Sequence, residues 1–195
     1  MLPPAHPIAT SRRDISADDV GDIDHVRDSL RSMTTRRRER PSLGWREWIA
    51  LPEWHVEHLK AKVDTGARTS SLHAFDIEWF DHLGQPWVRF QVHPWQRSTA
   101  DAVPVEAAVV AARDVKSSSG AVERRPVVHT TLVIADTHVS AEITLTRRDE
   151  MGFRMLIGRE AIRNRFVVDP GVSYLGGRPA QTVRRRNRSG GKDHT

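Results

Sequence analysis

Short runs in which apolar and polar residues alternate fill the middle of the chain and predict β-strands. The clearest run is Val139–Leu145, in which Val139, Ala141, Ile143 and Leu145 alternate with polar side chains. In a strand, this period of two places the apolar side chains on one face and the polar ones on the other. Turn-forming residues separate the runs from one another. The seven predicted strands are Trp45–Leu51, Leu59–Val63, Leu72–Phe80, Trp87–His93, Val103–Val110, Val127–Ile134 and Val139–Leu145.

One short helix is predicted at Arg159–Arg165, directly after Gly158. Six or seven strands and one helix, within about 135 residues, favour a closed or nearly closed β-barrel over a parallel sheet. The pattern therefore predicts a mostly β domain at residues 44–178, folded as a closed or nearly closed barrel.

The two ends of the chain differ from this domain in composition and charge. Of the net charge of +5, residues 1–43 carry +1, residues 44–178 carry none and residues 179–195 carry +4. We expect residues 1–43 to be a largely disordered extension, although apolar spacing across 17–33 also allows an amphipathic helix, which is marginal without a partner. Residues 179–195 are expected to be a disordered basic tail. Only this tail offers a site for nucleic acid, because the domain itself is neutral.

Several classes of protein are excluded by what the sequence lacks. The chain has no cysteine, which excludes disulfides, thiolate metal sites and a thiol nucleophile. It has no apolar run of the roughly 20 residues that a membrane helix needs, and its first residues do not resemble a signal peptide. We therefore expect a cytoplasmic protein without a membrane partner.

The strongest candidate for chemistry is the segment Lys62–Ala67, in which an apolar strand ends in Asp64, Thr65 and Gly66. Such a segment places a carboxyl group at a strand end, where glycine permits close backbone approach. A second segment follows 95 residues later, where the apolar run Met155–Ile157 leads into Gly158 and Arg159.

Together these segments resemble the retropepsin-like aspartic peptidases. Three stretches, Gly44–Trp48, Lys60–Ala74 and Phe153–Arg159, are similar to one bacterial family within that group. This family is RimB-like, was long labelled "ATP-dependent zinc protease", and often accompanies ligases that add glutamate to a ribosomal protein. The resemblance spans roughly residues 43–178 and implies an aspartic-type endopeptidase of retropepsin-like fold that trims acidic, glutamate-rich tails and needs no cofactor.

An aspartic peptidase needs two carboxyl groups that share one proton, so that one activates water while the other protonates the substrate. The chain contains one Asp-Thr-Gly. The resemblance therefore implies a homodimer in which each subunit contributes Asp64 as the catalytic residue. Its active-site loop would be Thr65, Gly66 and Ala67. Supporting or substrate-binding residues would be Lys62, Arg68, Thr69, Ser70, His73, Gly158 and Arg159.

Within this set, the residues themselves leave some roles open. Lys62 shares a strand face with Asp64, where it would lower the pKa of the carboxyl group and attract acidic peptide, or be an ordinary exposed strand-end charge. Arg159 could pair with an acid near the loop. Asp169, which precedes Pro170, also follows apolar residues, but is read as a turn residue.

Two other classes of function stay open. The barrel could be a non-catalytic module that binds ribosomal or acidic partners, or a zinc-dependent hydrolase that uses some of its histidines. The old family label finds no support in the residues, because neither a phosphate-binding loop nor a His-Glu-x-x-His zinc motif is present. The glycine-rich hairpin that covers the substrate in ordinary retropepsins is also missing between Asp64 and Gly158. The nearest candidate is the basic loop at 116–121, which could cover an acidic substrate or be only a long hairpin turn.

Overall fold

The computed structural model describes residues 40–96, 98–116, 122–147 and 152–188. The extension before residue 40, with its predicted helix across 17–33, lies outside these ranges, as do the loop at 117–121 and residues 189–195. No helix within the described part of the chain is long and apolar enough to cross a membrane.

Strands dominate the described residues, as the alternating pattern predicts. The structure contains β1 (Ser42–Gly44), β2 (Arg46–Leu51), β3 (Val56–Asp64), β4 (Ser70–His82), β5 (Gln85–Val92), β6 (Val103–Lys116), β7 (Val122–Ile134), β8 (Thr137–Thr146), β9 (Met155–Gly158) and β10 (Val167–Asp169). The helices are α1 (Arg159–Ile162) and α2 (Gln181–Arg186), with a 3-10 turn at Pro52–Trp54.

Six of the strands form a closed barrel, which confirms the predicted fold class. Hydrogen bonds link β2 to β3, β3 to β9, β9 to β4, β4 to β8 and β8 to β7, and β7 returns to β2. The strands β5 and β6 connect β4 to β7 outside this ring. Most neighbours are antiparallel, but β3–β9 and β4–β8 are parallel. The short strands β1 and β10 form a separate parallel pair.

The barrel encloses the apolar side chains that the period of two assigned to one face. In β8, Val139, Ile143 and Leu145 are fully buried, whereas Ser140 and Glu142 are exposed. Burial of such side chains supplies the main favourable term in folding, roughly 25 cal/mol for each Å² of apolar surface. All seven predicted strands are confirmed, and the core includes buried side chains of the barrel strands and of β5 and β6.

The helix after Gly158 is shorter than predicted. It ends at Ile162, because Arg163 leaves the helical region at φ −55° and ψ 130°. Asn164 then adopts a positive φ of 63°, a conformation that asparagine tolerates better than most residues. The sequence pattern did not signal this early break.

The C-terminal segment departs from the expected disordered tail over residues 181–186, where α2 forms. Asn187 follows this helix and is only 4% exposed. Its side-chain oxygen accepts a hydrogen bond of 3.1 Å from the backbone of Gln96. Docking of this one polar side chain gives the segment a fixed place that its composition does not reveal.

Glu47 is the buried acid that joins the two ends of the domain. Its side chain is completely buried and accepts hydrogen bonds from the backbone amides of Gly44 at 2.5 Å, Leu175 at 3.0 Å and Gly176 at 3.1 Å. Buried polar groups are tolerated when they are bonded in this way. The residues before β2 and those after β10 are therefore held at one carboxyl group.

Replacing Glu47 should strongly destabilise the domain. In Glu47→Ala, three backbone donors lose their acceptor, and we expect the free energy of unfolding to fall by about 3 kcal/mol or more. Urea unfolding followed by circular dichroism measures this loss. The control is Glu57→Ala, an exposed acid on β3, which should change stability by less than about 0.5 kcal/mol. Equal effects of the two variants would contradict the structural role of Glu47.

Candidate active site

Asp64 is the last residue of β3 and lies beside Gly158, the last residue of β9. The two strands run parallel, with Val63 opposite Ile157 and Asp64 opposite Gly158. Strand pairing thus brings together the two segments that the sequence separates by more than 90 positions. The Asp64 side chain is half-buried, while Thr65 and Gly66, which follow it, are exposed.

One carboxylate oxygen of Asp64 organises the loop that follows. Oδ1 accepts hydrogen bonds from the backbone amides of Gly66 and Ala67, each at 3.1 Å. An aspartate that bonds its own backbone two and three residues later is a common device for a tight turn. Both of these bonds use Oδ1, and within the described residues Oδ2 accepts no hydrogen bond.

Gly158 allows the backbone of β9 to press against the end of the active-site loop. A Cβ at this position would overlap the carbonyl group of Thr69 and approach the nitrogen of Ser70 within 2.8 Å. The Gly158 amide donates a 3.1 Å hydrogen bond to Oγ of Ser70, which is itself buried. Ser70 therefore supports the loop from inside, which is one of the two roles, supporting or substrate-binding, named for it from the sequence.

The first residues of α1 close the loop from the other side. The amide of Arg159 donates to the carbonyl oxygen of Ala67 at 2.8 Å, and the amide of Glu160 donates to that of Arg68 at 3.0 Å. Amides in the first turn of a helix have no partner within the helix. Here the loop supplies the missing acceptors, so the helix and the loop fix each other.

The side chain of Arg159 has a different partner from the one predicted. We expected it to pair with an acid near the loop, but its Nη1 donates to the carbonyl oxygens of Thr65 at 3.0 Å and Gly66 at 3.4 Å. These carbonyls lie within reach because the loop turns toward α1. Arg159 thus holds the exposed part of the loop through its backbone.

Arg68 forms the ion pair that the sequence assigned to Arg159. Its Nε lies 2.7 Å from Oε1 of Glu160, on the surface of the loop. This hydrogen bond lowers the pKa of Glu160 and raises the pKa of Arg68. Both side chains are largely exposed, so the pair orients the loop without adding much to stability.

Lys62 projects from the same side of β3 as Asp64, as predicted. Its side chain is exposed, while Ala61 and Val63 on either side are buried. Arg46 on β2 lies directly opposite Lys62. Two cations therefore lie on this face of the sheet, at the position two residues before the candidate catalytic acid.

Arg113 is a site residue whose contacts the sequence did not reveal. From β6, its Nη1 donates to Oγ1 of Thr69 and to Oγ1 of Thr144, both at 2.9 Å. Its Nη2 pairs with Glu142 at 2.9 Å. Arg113 thus joins Thr69 to the stem of the β6–β7 hairpin. The tip of this hairpin, residues 117–121 of the candidate basic loop, lies outside the described residues.

His73 lies inside the protein rather than beside the substrate, which corrects our expectation. It is 1% exposed, and its ring meets Phe75 edge-on with 4.3 Å between centroids. Phe75 in turn stacks on His93, and Arg154 lies over the Phe75 ring. Burial lowers the pKa of His93, and the positive charge of Arg154 lowers it further. Phe75, His93 and Arg154 thus cover the face of β4 that strand alternation would leave exposed, and they enclose His73.

Asp169 forms a turn of its own, in agreement with our interpretation. Its Oδ1 accepts a hydrogen bond of 2.8 Å from the amide of Gly171. Asp169 ends β10, which pairs with β1 in the separate two-stranded sheet. The side chain is exposed and resembles Asp64 only in its local hydrogen bonding.

Comparison with known proteins agrees with the mostly β fold of the chain. Residues 42–179 match the family described as RimB-like, retropepsin-like aspartic endopeptidase RimB. A solved Legionella pneumophila protein of unknown function is 28% identical, with a TM-score of 0.59 over 69% of this chain and 97% of that one. The fold is thus shared across nearly all of the Legionella protein.

Curated relatives are much longer than this chain. A probable alpha-L-glutamate ligase from Shewanella halifaxensis is 45% identical over 132 residues, which are 68% of this chain and 29% of the relative. One from Desulfotalea psychrophila is 42% identical over 130 residues, or 67% and 28%. The chain therefore spans less than a third of the length of these relatives.

Gly158 should not tolerate a side chain. In Gly158→Ala, the new methyl group meets the backbone of Thr69 and Ser70, so the loop or β9 must move, and we expect a loss of about 2 kcal/mol or more. Urea unfolding measures the change. The matched control is Gly152→Ala, where a Cβ has open space within 4 Å. If the Gly158 variant were as stable as this control, the close approach of β9 to the loop would be refuted.

Proposed function

The chain belongs to the RimB-like family of retropepsin-like aspartic endopeptidases, and on this premise we propose that it is an aspartic-type peptidase that trims acidic, glutamate-rich tails. The observation that carries the proposal is the geometry of Asp64. A helix start and a close-packed glycine hold its loop, and one carboxylate oxygen bonds two loop amides. The second oxygen is left to act on a reactant.

In this proposal, Asp64 from two subunits shares one proton across a two-fold axis. Two carboxyl groups so close together cannot both ionise readily, so one is protonated while the other is a base. The base removes a proton from water as the water oxygen attacks the peptide carbonyl carbon. The protonated partner donates its proton to the carbonyl oxygen. The tetrahedral intermediate then collapses: the C–N bond breaks as the amine nitrogen accepts the proton that the base took from water, and a hydroxyl of the intermediate returns a proton to the partner carboxylate as the carboxylic acid product forms.

The loop contributes by keeping the carboxyl group in place through this cycle. Asp64 Oδ1 is bound to the Gly66 and Ala67 amides, and Arg159 is bound to the carbonyls of the loop. These bonds are already formed in the absence of a substrate. Catalytic groups that do not have to reorganise are the more effective ones.

Two observations support an acidic substrate. Lys62 shares the outer face of β3 with Asp64, and Arg46 lies across from it on β2. The relatives named probable alpha-L-glutamate ligases are 42–45% identical to this chain over about 130 residues. A domain that occurs within proteins named for glutamate ligation is suited to work on glutamate polymers. The ligase activity itself belongs to those longer proteins.

No specific observation favours the zinc hydrolase. Within the described ranges, no group of three or more histidine, aspartate or glutamate side chains is placed to hold a metal ion. If the barrel is instead a non-catalytic binding module, Asp64 is not needed for its function. Both alternatives are therefore outcomes of the experiment that follows.

The variant Asp64→Asn should lose the cleavage of a glutamate octapeptide, because an amide can neither accept the proton from water nor share a proton with its partner. We expect a fall in kcat of at least about 100-fold. The asparagine oxygen can still accept hydrogen bonds from the Gly66 and Ala67 amides, so the fold should be unchanged. Chromatographic separation of the products measures the rate, with and without a metal chelator.

The matched control is Asp169→Asn, which makes the same change at a turn of similar local geometry and should retain activity. Cleavage that persists in Asp64→Asn and stops with the chelator would establish the zinc hydrolase. If the wild-type protein bound the peptide without cleaving it between about pH 4 and 8, a range that spans the shared titration of a carboxyl pair, the binding module would be the better account.

Mixing subunits tests the homodimer. If both copies of Asp64 are needed, only pairs of two wild-type chains are active. At nine Asp64→Asn chains for each wild-type chain, activity per wild-type chain should fall about tenfold after subunit exchange. Mixing with the Asp169→Asn variant instead should cause no such loss. Unchanged activity in the first mixture, with exchange confirmed by labelled subunits, would show that one chain suffices.

A further inference from the structure

The outer face of β2 and β3 carries a row of cations that leads away from Asp64. Along β3, Lys60 and Lys62 alternate with the buried residues Ala61 and Val63, and therefore lie on the same side as Asp64. Successive side chains on one face of a strand are about 6.6 Å apart. The cations thus extend roughly 13 Å from the candidate catalytic acid.

Across the β2–β3 pair, Lys62 faces a cation and Lys60 faces an aromatic ring, so neither faces an acid. Arg46 is directly opposite Lys62, and Trp48 is directly opposite Lys60. Like charges in facing positions of an antiparallel pair are destabilising. None of the three cations has an ion pair with another residue of the described chain, in contrast to Arg68, Arg89 and Arg113. Their charge is available to a bound anion.

Aromatic rings hold the cations in place. The Lys60 ammonium lies 5.7 Å from the centroid of the Trp48 ring and 5.6 Å from that of Tyr174. The guanidinium groups of Arg46 and Arg178 lie 5.0 and 4.9 Å from Tyr174. Such contacts attract the cation through the face of the ring. Within the described chain, Arg46 Nε donates a hydrogen bond of 3.1 Å to Oγ of Ser173, and the remaining N–H groups of these cations are open to carboxylates.

Tyr174, at the centre of this group, has an unusual backbone. Its φ is +62°, which is rare for a bulky residue. Its amide is bonded to the carbonyl oxygen of Arg46, and the next two amides are bonded to the buried Glu47. Backbone strain of this kind persists only where the surroundings impose it, and it clusters at sites of binding. Glu47 therefore positions the ring that three cations share.

We propose that this surface binds an extended run of glutamate side chains that continues from the bond cleaved at Asp64. We name it the cation–aromatic surface, and it consists of Arg46, Trp48, Lys60, Lys62, Tyr174 and Arg178. An extended peptide has the same period as a strand, so alternate glutamates meet Lys62 and Lys60 in turn. The inference rests on the proposed function and adds to it a long acidic binding track, which favours long tails over short ones.

Binding is tested separately from cleavage by using the Asp64→Asn protein and a fluorescein-labelled glutamate octapeptide. The double variant Lys60→Gln/Arg178→Gln removes two cations outside the active-site loop, and we expect its affinity, measured by fluorescence anisotropy, to fall about tenfold at low salt. The control double variant is Arg89→Gln/Arg185→Gln, which removes two exposed cations elsewhere and should change affinity less than about twofold. Lys60→Glu is a second, single variant with the opposite charge.

Cleavage gives an independent measurement in the chain that retains Asp64. The Lys60→Gln/Arg178→Gln change should raise KM for the octapeptide at unchanged kcat, and should leave cleavage of a glutamate tripeptide unaltered, because the short peptide does not reach Lys60 and Arg178. Urea unfolding verifies that all variants are folded.

Each outcome distinguishes the surface from the proposed function. Equal affinity of the two double variants would overturn the surface, even if wild-type protein cleaves the peptide. Loss of binding only in Lys60→Gln/Arg178→Gln would support the surface, even if no cleavage occurs and the proposed function fails. Equally tight, Lys60-dependent binding of an oligouridylate of the same charge would overturn the assignment to glutamate.

Discussion

The parallel pairing of β3 with β9 is the constraint on which the candidate site depends. It brings Gly158 beside Asp64 and aims the first amides of α1 at the loop carbonyls. Because Gly158 has no side chain, the loop can pack directly on the strand end. Asp64 is then held by backbone contacts that do not depend on the identity of most loop side chains.

Much of this could be predicted from the sequence. The period of two located seven strands, because β-strands around one barrel bury alternate residues, and the spacing of two motifs located the loop. Strand alternation also predicted that Lys62 lies on the same face as Asp64, since alternate residues of a strand share a face. These predictions succeeded where the structure follows from local geometry along one strand.

Other features depend on contacts between distant segments and could not be predicted. His73 is buried because Phe75, His93 and Arg154 cover the outside of β4, and none of these contacts follows from spacing. Arg159 binds backbone carbonyls, which every residue possesses and no sequence pattern marks. Glu47 resembles any acid on a strand until the residues that surround it are known.

The single acceptor at Glu47 also has a consequence for how this domain combines with others. Gly44 lies near the beginning of the domain and Gly176 near its end, and both are bonded to one carboxyl group. The polypeptide therefore enters and leaves the barrel at adjacent points. A domain whose ends are adjacent can be joined to a larger polypeptide, or inserted into one, without distortion of the domain or of its host. Modular reuse is thus physically simple for this fold, in keeping with its occurrence as a minor part of much longer relatives.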